Sequence, residues 1–234
     1  MRFNSTFAFV LATVTIAACG GDDGGVTAID ARRIDSGSGG PDAAATCDLP
    51  AGISLGEGTG IDFQRQDGMT AGHYTLASGL SLGSDMPPTV MFVEFYNDYA
   101  PFGTSMAPGA VAPGTYTIDA TQSNYASCGA CMRIFTKYVQ GMPSTFNQTY
   151  MPNGGTITIN SVTPTVGGTI DVTFTNLTLR QVTIATDGTF ETTDVAGGCT
   201  STISDGHFTG AVVAPAKRGN GFVYRLELDQ TKRR

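Results

Sequence analysis

The sequence predicts an all-β fold, an antiparallel β-sandwich of about ten strands, with a closed or partly open β-barrel as the alternative. Apolar residues recur at every second position in most segments that resemble strands. Pairs of Gly with Asn, Asp or Pro separate several of these segments. No window shows a convincing helical period of 3.6 residues, so helices are not expected.

The clearest alternation lies in residues 169–175, where Thr or Asp alternates with Ile, Val and Phe. Residues 222–228 alternate nearly as well, and residues 91–96 are apolar on both faces, which suits a central strand. Alternation predicts strands with one buried and one hydrated face, as antiparallel sheets allow. Further strands are predicted at about residues 72–77, 115–118, 131–139, 146–151, 156–159, 177–184, 200–204 and 208–213.

The predicted turns agree with this pattern. Three pairs that favour the positive φ angles of type I′ hairpin turns stand between strand-like segments: Asn153-Gly154, Asp187-Gly188 and Asn220-Gly221. Pro113-Gly114 predicts a turn into the strand that follows it. The apolar alternation slips between Leu179 and Val182, which predicts a β-bulge.

The first residues have the organisation of an export signal. A short polar segment with one positive charge, Arg2, precedes an apolar run at residues 7–18. This run is too short for a membrane-spanning helix, which needs about 20 residues. Small residues then precede a cysteine, in the order Ile16-Ala17-Ala18-Cys19.

These residues resemble the lipobox signal of bacterial lipoprotein precursors. The resemblance implies that residues 1–18 are a lipoprotein signal peptide, that cleavage falls between Ala18 and Cys19, and that Cys19 is diacylated on its thiol and acylated on its new N-terminus. Membrane lipid would then hold the protein in the cell envelope. Gly20 follows, and by similarity to sorting in Gram-negative bacteria the lack of Asp there favours the outer membrane. The alternative is an ordinary secretory signal that leaves Cys19 as a free thiol.

The remaining chain divides into a tether and a domain. Residues 19–46 predict a lipidated cysteine followed by a disordered tether rich in Gly, Ala and Asp, because this segment has too little apolar surface to fold. As a flexible coil it would span about 30 Å. Residues 47–234 predict a single β domain with a basic C-terminal tail.

Composition excludes one large class of partners. The chain carries 13 basic and 20 acidic residues and a formal net charge of −7. An acidic chain gains nothing from a phosphate backbone, so nucleic acid is not expected as a partner. Only 14% of residues are charged, against about 25% in typical soluble domains, and Thr, Ser and Gly make up the difference. This balance is typical of exported β proteins with hydroxyl-rich outer faces.

The cysteines predict disulfides. With Cys19 acylated, an even set remains: Cys47, Cys128, Cys131 and Cys199. In an exported protein this set predicts two disulfides, with three connectivities open. The preferred connectivity is Cys47–Cys199 with Cys128–Cys131, and in the alternative both members of the close pair bridge outward. A redox role for the close pair is not favoured, because a strand-like segment rather than a helix follows it.

Residues 79–83, Gly-Leu-Ser-Leu-Gly, match the GxSxG pattern of hydrolase nucleophile elbows, with Ser81 as the nucleophile. His207 with one of three aspartates would complete a triad in the right chain order: Asp171, Asp194 or Asp205. The elbow needs a helix after the serine, and the prolines of residues 84–88 prevent one. A turn between strands is therefore the preferred interpretation of this match.

Other candidate residues are few. His73 and His207 lie far apart in sequence and outside any metal-binding spacing, so neither a metal nor a cofactor is predicted. Glu94, inside an apolar strand, is either buried and paired or at an edge facing solvent. Tyr99 and Tyr125 stand in polar loops, where they either contact a sugar or protein partner or pack back over the core.

These observations favour a non-catalytic binding or structural module of the cell envelope over an enzyme. Its expected partners are membrane lipid, through acylated Cys19, and an envelope protein or polysaccharide. Two alternatives stay open: a carbohydrate-binding module, and an envelope hydrolase that uses Ser81.

Mass spectrometry of the membrane-extracted protein tests the anchor. We expect the N-terminal peptide to begin at Cys19 and to carry the mass of the acyl chains, because the lipobox resemblance places cleavage there. A Cys19→Ser variant should lose that mass and leave the membrane fraction. An unmodified peptide that begins near Cys19 in the wild-type protein would contradict the lipoprotein interpretation.

Overall fold

The computed structural model describes residues 46–141 and 144–215, and these residues form ten strands and no helix. The strands are β1 (Glu57–Thr59), β2 (Phe63–Asp67), β3 (Tyr74–Leu82), β4 (Thr89–Tyr96), β5 (Gly114–Thr117), β6 (Ala130–Phe135), β7 (Thr149–Val162), β8 (Thr169–Ile184), β9 (Thr192–Asp194) and β10 (Thr200–Val213). The predicted all-β class is confirmed.

The strands belong to one sheet in the order β1-β10-β2-β3-β4-β6-β7-β8-β9, and β5 pairs with β7. β10 also pairs with β8, so hydrogen bonding returns to its start around seven strands: β2, β3, β4, β6, β7, β8 and β10. The result is a sandwich- or barrel-like arrangement around one enclosed core.

The sheet is mixed rather than purely antiparallel. β10 runs parallel to β1, with Glu57 opposite His207, and parallel to β2, with Phe63 opposite Val212. Its other edge pairs antiparallel with β8. The parallel pairs join segments about 150 residues apart in the chain, a relation that no local sequence pattern encodes.

β7, β8 and β10 are long and bend at a shared corner, where the sequence predicted two shorter strands for each. In β8, Phe174 and Leu177 are both buried, and Asn176 between them takes a left-handed φ of 49°. In β10, Ile203 and Gly206 are both buried in the same way. The pairing of β8 with β10 keeps its register across the corner. The break in the apolar alternation therefore marks a change in which side of each strand is buried, and neither strand ends there.

The predicted hairpin turn at Asn153-Gly154 is wrong, because this pair lies inside β7 at the same corner. The register of β7 against β8 shifts on both sides of Gly154, as in a β-bulge. Gly155 takes a φ of 94°, and a Cβ there would collide with the backbone oxygen of Asn176. Glycine is therefore required for the close approach of the two strands.

The bulge predicted between Leu179 and Val182 is also wrong, since the register of β7 against β8 is unbroken there. Leu179 packs in the enclosed core, whereas Val182 packs in a second cluster with Tyr96 and Tyr125. Both faces of β8 are buried at this end, and that is why the apolar alternation slips.

The remaining predictions vary in outcome. Pro113-Gly114 leads into β5 as predicted, and Asp187-Gly188 lies in the hairpin loop between β8 and β9. Only Gly188 of that pair has a positive φ, so the turn is not type I′.

The short strands β1, β2 and β9 were not predicted. Several predictions fall outside the described residues: Ala18, Cys19, the tether, the Asn220-Gly221 turn, the strand at 222–228 and the basic tail.

The enclosed core consists of the inward residues of all seven ring strands. Its fully buried large side chains include Phe63, Leu76, Met91, Phe95, Ile134 and Phe174. Burial of each such side chain contributes about 1.5–3 kcal/mol to folding. This core holds the corner strands in place from inside.

The outer face of β4 and β6 is buried as well, and it contains an ion pair. Arg133 donates to Glu94 from Nη2 at 2.6 Å and from Nε at 3.1 Å, and the two side chains are 1% and 0% exposed. Tyr125 covers the guanidinium at 3.9 Å from its ring centroid. Burial works to lower the pKa of Arg133, but the charge of Glu94 raises it, and the net direction is upward. Glu94 is therefore buried and paired, and it does not face solvent at a sheet edge.

The disulfides have the preferred connectivity, Cys47–Cys199 and Cys128–Cys131. The first joins the start of the domain to the residue before β10 and closes a loop with a sequence separation of 152. In the chain-entropy model such a loop stabilises the fold by about 5 kcal/mol. The second ties the loop that carries Tyr125 to β6.

We expect Arg133→Met to lower the free energy of unfolding by about 3–5 kcal/mol, because Glu94 would remain as a buried charge without its partner. Guanidinium chloride denaturation under non-reducing conditions measures this change. The double variant Glu94→Leu with Arg133→Met removes both charges and should recover much of the loss. A double variant as unstable as the single one would show that packing, not charge pairing, sets the cost.

Candidate functional site

The structure does not form the nucleophile elbow at Ser81. Residues Gly79 and Ser81 lie in β3 and pair with Phe92 and Val90 of β4, so the preferred interpretation as a turn was wrong as well. The Ser81 hydroxyl donates to the carbonyl of Gly83 at 3.4 Å. No helix follows it in the described part of the chain, so the strand–turn–helix geometry of an elbow is not formed.

The triad partners are not assembled around Ser81 either. Both ring nitrogens of His207 contact carboxylates, and β2 separates β10 from β3 in the sheet. Of the three candidate aspartates, only Asp171 contacts His207. Asp194 pairs with Arg180, and Asp205 accepts from Ser54.

His73 forms a separate pair with Asp98, at 2.9 Å between Nδ1 and Oδ2, and the two side chains are 13% and 11% exposed. His73 precedes β3, and Ser81 lies near the far end of that strand, roughly 26 Å away at the rise of an extended chain. The two residues therefore do not form a common site.

The loop tyrosines and the close cysteine pair are both part of the packed structure. Tyr125 is fully buried over Arg133, and Tyr99 packs edge-to-face against Tyr96 at 5.8 Å between ring centroids. The alternative in which these tyrosines pack back over the core is the one the structure has. Cys128 and Cys131 are joined in a disulfide and are 0% exposed, so neither presents a thiol at the surface.

A continuous polar face covers the outer side of five adjacent strands, β1, β10, β8, β7 and β5. This polar face consists of Glu57 and Thr59, Asp205, His207 and Thr209, Asp171, Thr173 and Thr175, Thr156, Thr158 and Asn160, and Thr115 and Thr117. All of these residues are exposed or half-buried, and none is apolar. The alternate residues of the same strands point into the enclosed core.

The sheet register arranges these side chains in rows. One row crosses all five strands with each residue opposite the next: Glu57, His207, Thr173, Thr158 and Thr115. A second row crosses four strands: Asp205, Thr175, Thr156 and Thr117. Residues directly opposite each other on a sheet stand about 4.5–5.5 Å apart. The polar face is therefore a regular grid of hydrogen-bonding groups.

Hydrogen bonds link the charged end of this grid. His207 contacts Glu57 from Nδ1 at 2.5 Å and Asp171 from Nε2 at 2.8 Å. Asn160 donates to Asp171 at 2.6 Å and to the hydroxyl of Thr173 at 2.8 Å. The side chains of β1, β10, β8 and β7 are thus held in fixed positions relative to one another.

The same contacts shift the pKa values. The hydrogen bonds that His207 donates to Glu57 and then to Asp171 raise the pKa of His207 above its usual 6.5. The hydrogen bond from Asn160, with that of His207 as a smaller cause, lowers the pKa of Asp171 although burial opposes this. The two carboxylates therefore stabilise the protonated imidazole relative to the neutral one.

Sequence reasoning found part of this surface. The alternation in residues 169–175 placed Asp171, Thr173 and Thr175 on a hydrated face, and all three lie on the polar face. The alternation did not connect them to Glu57, because the strand order that joins them is set by pairing over long distances. The candidate triad did pair Asp171 with His207, but it assigned both residues to Ser81, which lies elsewhere in the sheet. The abundance of Thr in this chain was the one available signal of a hydroxyl-rich surface.

Among residues 46–141 and 144–215, no group of three or more His, Cys, Asp or Glu side chains is arranged to hold a metal ion, and no helix is long and apolar enough to cross a membrane. Comparison of the chain with protein-family models, curated proteins and solved structures found no significant match.

NMR titration of His207 tests the charged end of the polar face. We expect its pKa to lie above 6.5, and Glu57→Gln to lower it, because the hydrogen bond to that carboxylate is the largest cause of the shift. Because folding raises this pKa, protonated His207 makes its full contribution to stability below about pH 6.5. The contribution is lost as the pH rises through the pKa of His207 in the folded state. Protection of the β1 amides from hydrogen exchange should fall over the same range. The Asp194→Asn variant, outside the polar face, should leave the His207 titration unchanged.

Proposed function

We propose that the protein is a lipid-anchored lipoprotein of the bacterial cell envelope, held by acylated Cys19 in the outer membrane, whose β domain is a non-catalytic binding module. Its binding surface is the polar face, and its ligand is a neutral polysaccharide. The observation that carries the proposal is the unbroken outer surface of hydroxyl, carboxamide, carboxylate and imidazole groups on five adjacent strands.

The chemistry of the polar face matches sugar hydroxyls. A sugar hydroxyl both donates and accepts hydrogen bonds, and so does the side chain of Thr. Thr115 and Thr158 already exchange such a bond at 3.1 Å. Carboxylates such as that of Asp205 accept from sugar hydroxyls, and the amide of Asn160 can donate to them. A polymer lying along the rows could therefore bind through many similar contacts.

A protein partner fits this surface less well. Energetically important interface residues are most often Trp, Tyr and Arg, and Thr is under-represented among them. The polar face contains no aromatic or apolar side chain that could fill a pocket on a protein partner. Its binding energy must come from hydrogen bonds, each contributing about 0.5–1.5 kcal/mol.

The charge of the polar face favours a neutral ligand over an anionic one. Glu57, Asp171 and Asp205 give the polar face three carboxylates against one imidazole, that of His207. The whole chain has a formal net charge of −7. A polyanion would be repelled at close range, so a neutral polymer is the better match.

The position of the polar face suits an anchored protein. The tether meets the domain at Cys47, which the disulfide joins to Cys199 at the start of β10. Asp205 and Thr209 lie six and ten residues beyond Cys199, which is roughly 20–33 Å measured along β10. Most of the polar face on β10 therefore lies at and beyond the corner, away from the end of the strand that Cys47 contacts.

Co-sedimentation of the mature protein with insoluble neutral polysaccharides tests the proposal, using cellulose, chitin and insoluble starch as probes. We expect the double variant Thr158→Val with Thr173→Val to bind its polymer about thirtyfold more weakly, because two hydroxyls are lost at about 1 kcal/mol each. Valine keeps the shape and strand preference of threonine, so the fold should be retained.

Thr183→Val is the matched control, since Thr183 is an exposed residue of β8 that lies outside the polar face. It should bind as the wild-type protein does. Equal binding by the double variant and the wild type would contradict the assignment of the polar face. Failure of the wild type to sediment with every polymer would contradict the ligand class.

A further inference from the structure

Exposed apolar side chains lie at both ends of the pair of strands β3 and β4, with Met69 and Met106 at one end and three further residues at the other. Met86, in the loop between β3 and β4, is 88% exposed. Val139 and Phe146, in the loop between β6 and β7, are 48% and 45% exposed. These three residues form the apolar end of the domain.

The two loops of the apolar end are joined to each other. The backbone N–H of Tyr138 donates to the carbonyl of Pro88 at 2.8 Å. Val139 pairs with Thr145 as an isolated β-bridge, and Phe146 packs on Phe135 at 4.7 Å between ring centroids. The exposed apolar groups therefore stand on an ordered base.

The same loop receives the tether. Asp48 accepts from Thr136 at 2.8 Å and from Asn147 at 2.6 Å, and it pairs with Lys137 at 3.1 Å. The side chain of Gln148 donates to the carbonyl of Thr46 at 2.9 Å. The first described residues of the domain are thus bound to the loop that presents Val139 and Phe146.

We propose that the apolar end is the membrane-facing surface of the domain, and that it contacts the phospholipid bilayer in which Cys19 is anchored. The inference rests on the proposed function, because it takes the lipid anchor as given. It goes further by assigning which side chains meet the lipid: Met86, Val139 and Phe146.

The place where the tether ends argues for lipid as the occupant. Only residues 20–45 separate the anchored cysteine from Thr46, so even a fully extended connection keeps Thr46 within about 90 Å of the bilayer. This closeness gives the bilayer a high effective concentration at the apolar end. Weak apolar contacts suffice under these conditions, since the acyl chains already supply the affinity.

Tryptophan fluorescence tests the assignment, because the chain contains no Trp and one introduced residue is a unique reporter. The acylated mature protein carrying Phe146→Trp is reconstituted into phosphatidylcholine vesicles with and without brominated acyl chains. We expect its emission to shift to the blue and to be quenched at least twofold by the brominated lipid. Met86→Trp, in the neighbouring loop, should behave in the same way without disturbing the packing on Phe135.

Met106→Trp is the matched control, since Met106 is 94% exposed and follows the opposite end of β4. Its emission should be unaffected by bromine. Protein that floats with the vesicles while all three reporters behave alike overturns the orientation and leaves the anchor intact. A blue shift without quenching means that protein covers this end, which also overturns the assignment to lipid. Wild-type protein that does not float with the vesicles contradicts the anchor itself, and the orientation with it.

Discussion

The double pairing of β10 is the interaction on which the rest of the structure depends. One edge of β10 pairs with β8 over eleven residue pairs, and the other runs parallel to β1 and β2. Without this strand the ring would be open, and side chains such as Phe174 and Phe63 would lie at an exposed edge. The Cys47–Cys199 disulfide holds the start of β10 to the start of the domain, which supports the same closure covalently.

The shared corner of β7, β8 and β10 gives the two halves of the domain different surfaces. Toward the tether, both faces of the sheet are buried, and the outer face encloses the pair of Glu94 and Arg133. Beyond the corner the outer face is hydrated, and it forms the polar face. Because the strands continue through the corner, the rigid core on one side also fixes the spacing of the hydroxyl groups on the other. The proposed binding surface therefore follows from the same bend as the packing.

Much of the fold was predictable, and the reasons are local. Alternation in residues 169–175 identified the buried and hydrated faces of β8, and the four cysteines after Cys19 predicted the disulfides. The candidate site was predictable only in part. Asp171 and its neighbouring threonines were placed on a hydrated face, but their row partners Glu57 and Thr115 come from distant strands. Ser81 was misassigned because a short motif carries no information about the strand that contains it.

By itself, the sequence determined the strand-forming segments, the hydroxyl-rich character of their outer faces and the cysteines available for pairing, because these depend on residue type and short periods. Only the tertiary structure decided that six predicted segments are three bent strands, since a local break in alternation looks the same for a turn and for a corner. It also decided that Glu94 is buried against Arg133 and that His207 bridges two carboxylates. Those contacts arise from strand pairing over long distances in the chain, which the order of residues along a strand does not specify.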